Sequence, residues 1–123
     1  MIRKLSLVAA ILALAATAAL ALTQDEKRSA KITGFLVDNM CAAAHGTDEE
    51  AKQHATSCAL MPACEKTGFA VLSKDVVYKL DERGNNLALA LLKETKTKTG
   101  VAVTVEGTLH GSTLHADTLQ EVR

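Results

Sequence analysis

The chain has no tryptophan, a single proline at Pro62, and only Phe35, Phe69 and Tyr78 as aromatic residues. So few rings leave little to stack on bases or sugars, which argues against a single-stranded nucleic-acid surface and leaves Leu, Val and Ala to build the core. Charge of one sign is missing as well: 14 basic and 14 acidic residues cancel. No strong field for nucleic acid or anionic lipid follows. There is no Cys-x-x-Cys, no Cys-x-x-Cys-His and no Gly-rich phosphate loop, so thioredoxin-like chemistry, covalent haem and nucleotide binding lack their usual signatures. Noncovalent haem through His54, a methionine or a cysteine is disfavoured.

What the chain does have begins with an export signal. Arg3 and Lys4 precede an apolar run from Leu5 to Ala16, and Ala19-Leu20-Ala21 supplies small residues at the spacing of a signal-peptidase site. Residues 1–21 therefore read as a signal peptide, and cleavage would deliver a periplasmic or secreted protein. A retained anchor is the alternative, because the apolar stretch approaches the ~20 residues that span a bilayer. The polar Thr23-Gln24-Asp25-Glu26-Lys27-Arg28 that follows favours cleavage and leaves no stable membrane anchor. About a hundred residues remain, enough for one core. The expected organisation is a flexible segment over 22–30 and one domain over 31–123, with an insertion at 39–67.

Lys31 to Asp38 reads as a strand that is apolar on both faces, with Gly34 at a bend. Thr47-x-x-Glu50 is a capping box for a helix running to about Leu60, where Pro62 disfavours its continuation. Strand patterns return at Phe69–Leu72 and Val76–Leu80 around a Ser73-Lys74-Asp75 turn. Asn86 is expected to cap a helix over Leu87 to Glu94, with Leu91 as the plug of the core. Lys96 to Gly100 reads as a wet loop without an anchor. Alternating valines from Val101, then a hairpin at Gly111-Ser112, complete the chain. The fold class is thus mainly β with short helices: a five-stranded OB-like barrel carrying a helical Cys/His insertion between its first two strands.

Three cysteines, Cys41, Cys58 and Cys64, cannot all pair within one exported chain, so at least one sulfur is free, shared or bound to a metal. His54 and Cys58 stand four apart and would share a face of the expected helix, while the Pro62 turn could return Cys64 towards them. With Cys41 they offer three thiolates and one imidazole, a tetrahedral zinc combination. Met40 and Met61 add soft thioethers, which also suit copper as Cu(I). The candidate metal ligands are Cys41, His54, Cys58 and Cys64, for zinc or copper. A weaker cluster lies on the last hairpin, where His110 and His115 fall diagonally on one face with Glu106 opposite Asp117; a solvated face is the favoured reading there.

Gly34-Phe35-Leu36-Val37-Asp38, Cys41, His54-x3-Cys58-Ala59-Leu60-Met61-Pro62-x-Cys64, Gly68-Phe69 and the later Val-Thr-Val-Glu-Gly run resemble a group of small secreted, largely uncharacterised bacterial proteins with a barrel-like body. The resemblance implies that the three cysteines and His54 act as one unit, and it brings no activity. Function is accordingly expected to be that of an exported soft-metal-binding domain, more a binder than an enzyme. Two alternatives stand beside it. A Cys41–Cys58 or Cys58–Cys64 disulfide could staple an envelope binding module for a small molecule or protein partner, the first closing a loop of about eighteen residues worth on the order of 3 kcal/mol. A thiol redox enzyme could use Cys58 activated by His54, although no orienting carboxylate stands at a telling spacing.

Overall fold

Five strands close into a barrel in the computed structural model, which describes residues 27–123: β1 (Lys27–Asp38), β2 (Phe69–Ser73), β3 (Val76–Leu80), β4 (Ala102–His110) and β5 (Thr113–Glu121). Neighbours run β1-β2-β3-β5-β4 and back to β1, with β3 and β5 the only parallel pair among the described residues. This is the order of an OB-type Greek-key barrel, which removes sheet edges by closure. Residues 1–21, for which a signal peptide is expected, lie outside the described residues, as do residues 22–26 of the expected flexible segment. Among those described, no helix is long and apolar enough to cross a membrane.

β1 begins four residues earlier than its periodicity suggests, because Lys27 to Ala30 pair with His110 to Gly107 of β4. That stretch of the expected flexible segment is barrel wall. The two apolar faces of β1 both find partners. Leu36 faces the barrel core with Phe69, Val71, Val103, Val105, Leu109 and Leu114, whereas Val37 packs outside with Ala42, Ala51, Ala70 and Leu72. The outer cluster exists because the insertion folds back over β1 and β2, and it buries every residue of β2 from Phe69 to Leu72. At Gly34 a Cβ would collide with the Leu72 carbonyl oxygen, so the expected bend is a close crossing of two strands.

The insertion is four short helices rather than one long one: α1 (Asn39–Ala44), α2 (Asp48–Lys52), α3 (Thr56–Ala59) and α4 (Pro62–Glu65). Thr47 caps α2 as its sequence suggests, accepting from the Glu50 amide at 3.2 Å. Asp48 then clasps the β2–β3 turn: it accepts from the Lys74 and Asp75 amides, and its own amide donates to Asp75. Helical periodicity fails at Gln53–Ala55 for a tertiary reason. Ala55 is extended and bridges to Thr99, the His54 carbonyl accepts from Gly100, and the Thr56 amide donates to Lys98. The Lys96–Gly100 loop is therefore anchored by backbone pairing, contrary to its wet appearance.

α5 (Glu82–Glu94) starts five residues earlier than expected, and its cap is Asp81 rather than Asn86, with the Gly84 amide donating to Asp81 at 2.9 Å. Starting there fixes the buried stripe as Gly84, Ala88 and Leu92, spaced by four, and leaves Leu91 only half-buried beside it. Leu92→Ala should consequently cost about 2–5 kcal/mol in denaturant titration and Leu91→Ala distinctly less; equal losses would mean that the helix sits on the barrel in another rotation. The final hairpin keeps the expected register at His110↔Thr113, Leu109↔Leu114 and Thr108↔His115. Beyond it a bulge between Glu106 and Gly107 sets Glu106 against Thr118, not Asp117. The proposed carboxylate pair is not formed.

Candidate functional site

The site is built where β1 runs out of the barrel into the insertion. Asp38, the last residue of β1, is completely buried and caps α1 by accepting from the Cys41 amide at 2.9 Å through Oδ2. Its other oxygen, Oδ1, lies 3.0 Å from Nε2 of His54, which the Ala55–Thr99 bridge and the Gly100 contact hold in place. Gly100 has φ +65°, and a Cβ there would lie 2.5 Å from the Lys52 carbonyl oxygen. Only glycine lets the loop approach so closely.

Two thiols complete the cluster. Cys41 projects from the first turn of α1 and Cys64 from α4, and their sulfurs and an Asp38 oxygen all lie within 4.8 Å of one another. Burial, then hydrogen bonding to Asp38 and its charge, push the Cys41 thiol up from 9.0 to about 11. Burial and the Asp38 charge also raise Cys64, against which a hydrogen bond from Cys41 acts in the opposite sense. Three potential anions thus converge on a point served by one imidazole. Without a cation, both thiols keep their protons.

The structure therefore brings Cys41 and Cys64 together and ties His54 to them through Asp38. It does not put His54 and Cys58 on one helix face, because the helix expected to carry both is broken between them. Cys58 is exposed on α3, outside the group within 4.8 Å, and Met40 and Met61 are also exposed. All three cysteines are free thiols, and the sulfurs that share one cluster are those of Cys41 and Cys64, a pairing that neither expected disulfide included. Asp38 is the residue that sequence reasoning missed. Its signal was a carboxylate directly ending an apolar strand and standing three residues before a cysteine, the spacing of an N-cap.

A cleft of about 250 Å³ opens onto this cluster, lined by Cys41 and His54 with His45, Glu50 and Gln53 and the apolar Val37 and Ala51. Cys64, at 9% exposure, does not line it. On the far hairpin His110 and His115 stand with ring centroids 5.9 Å apart, and His115 Nδ1 is 3.5 Å from Asp81. That pair is well separated in sequence and element from the cysteines.

Donors at about 2.3 Å for sulfur and 2.0–2.2 Å for oxygen stand some 3.3–3.8 Å from one another around a tetrahedral ion. The Asp38, Cys41 and Cys64 atoms, all within 4.8 Å of one another, would draw in to that spacing around an ion. The donor set fits a borderline or soft cation and leaves one position for a further ligand. No family model, curated protein or solved structure matches the chain.

Proposed function

We propose that the protein is an exported metal-binding domain that holds one zinc or copper ion between Asp38, Cys41 and Cys64. His54 serves as the partner that orients Asp38, and the remaining position is open to a ligand from outside the chain. The observation that supports this reading most directly is the convergence of one carboxylate and two thiols within 4.8 Å at a buried strand end. The raised thiols fit it too, since a cation placed there would neutralise charges that burial now suppresses. Carboxylates that ligate a metal are themselves hydrogen-bonded from outside, the part His54 plays for Asp38. The resemblance to small secreted bacterial proteins and the leader-like first 21 residues favour action in the cell envelope.

Elemental analysis of protein purified without chelator tests the proposal. About one zinc or copper per chain is expected, with loading nearly lost in Cys41→Ser and Cys64→Ser, weakened in His54→Ala, and unchanged in Cys58→Ser. His110→Ala and His115→Ala should leave the stoichiometry unchanged. Recovery of metal-free protein whose loading cannot be restored by added zinc or Cu(I) would overturn the proposal.

A further inference from the structure

We propose that Cys41 and Cys64 also form a thiol–disulfide exchange pair, in which a small peptide-like disulfide entering the cleft between α1 and α2 oxidises them to a Cys41–Cys64 bridge and so ejects the bound metal. The ejection step rests on the metal-binding reading; the exchange itself stands on geometry alone. The two sulfurs already lie within 4.8 Å, and the bridge requires them to close to about 2.05 Å. Their access is unequal. Cys41 lines the cleft, whereas Cys64 is buried behind it and reaches no cavity wall there.

Unequal access fixes the order of events. Cys41 attacks one sulfur of the incoming disulfide as the thiolate, its proton, where it carries one, passing to water; a mixed disulfide forms and the first small thiolate is expelled and takes up a proton from water. The Cys64 thiolate then attacks the Cys41 sulfur from the inner side, forming the protein bridge and expelling the second small thiolate, which is protonated in turn. Two protein thiols are oxidised and one small disulfide is reduced to two thiols, so no other electron acceptor is needed. The cleft sets His45, Glu50 and Gln53 beside Val37 and Ala51, a mixed lining that suits a small peptide-like disulfide carrying both polar and apolar groups. The bridge removes both thiolate donors. Asp38 and His54 alone are left, and one carboxylate with one imidazole is a poor site for a soft cation.

Oxidised glutathione is the probe, applied without oxygen to the zinc-loaded full chain carrying Cys58→Ser, which removes the exposed thiol. Peptide mapping should find a Cys41–Cys64 bridge, one glutathione disulfide consumed per bridge, and zinc release, read with a coloured chelator, in step with bridge formation. Adding Cys64→Ser should stop the reaction with glutathione attached to Cys41, while Cys41→Ser should leave Cys64 unmodified. Should either double variant fail to fold, the time course of the Cys58→Ser protein decides, because a transient adduct on Cys41 must precede the bridge. Glutathione found first on Cys64, or a bridge that forms only when Cys58 is present, would overturn the exchange pair. A bridge that forms through Cys41 while zinc stays bound would overturn the ejection step, and the same bridge in a chain that never binds metal would keep the exchange pair and defeat the metal-binding reading.

Discussion

Asp38→Asn is expected to lower zinc affinity by about 100-fold or more while leaving the barrel folded, because it removes the one buried negative charge of the site and keeps its shape. The amide oxygen of Asn can still accept from the Cys41 amide, so the cap on α1 survives. What it cannot do is present an anionic oxygen to a cation while also facing His54 Nε2 at 3.0 Å. Asp38→Ala goes further. It abolishes the cap, which is the bond to the Cys41 amide, for about 1 kcal/mol, and leaves the His54 ring nitrogen without its partner at about 1–3 kcal/mol. The alanine variant should therefore lose both metal and about 2–4 kcal/mol of stability, and the asparagine variant mainly metal. Zinc titration against a competing chelator, run beside urea unfolding of the metal-free proteins, separates the two. Equal zinc affinity in Asp38→Asn and wild type would reduce Asp38 to a structural hub joining insertion and barrel.

That Asp38 matters was hidden by the same feature that made the barrel legible. In Gly34-Phe35-Leu36-Val37-Asp38 the alternation marks a strand, and a charged residue closing it reads as the place where the chain meets water. In the fold that strand end runs beneath α1 and α4, so the charge is enclosed. The later strands were easier, since Val101, Val103 and Val105 declare their inward face, and turn chemistry at Gly111-Ser112 sets the register as far as Thr108↔His115. The bulge between Glu106 and Gly107 left one trace, the broken alternation at Thr118 and Leu119, without showing on which strand the irregularity lay. The helix break at Gln53–Ala55 left none. It arises from pairing with residues 98–100, more than forty positions away, and local periodicity carries no information about such a contact. For the same reason Cys41 and Cys64 were recognisable as candidates, but their closeness was not: it depends on α1 and α4 meeting over the end of β1.

Metal affinity should rise steeply with pH, by up to about 100-fold per unit between pH 6 and 8, because each ion that binds must displace the protons of two thiols. Burial and Asp38 hold Cys41 at about 11, and burial foremost raises Cys64 from its ordinary 9.0, so both remain protonated throughout that range in the metal-free protein. The sign follows directly. A higher pH lowers the cost of removing each proton, and the bound form, which holds two thiolates, gains relative to the free form by a factor of ten per thiol per unit. Cys64→Ser leaves one displaced proton, so its residual affinity should climb only about tenfold per unit. His110→Ala should leave the slope unaltered. Zinc titrations against a chelator of known pH dependence, at three values across the range, measure the proton count. A slope near zero in the wild-type protein would mean that neither thiol ligates, and would shift the site to Asp38 and His54 alone; a slope of one, retained in Cys64→Ser and lost in Cys41→Ser, would leave Cys41 as the sole thiolate ligand.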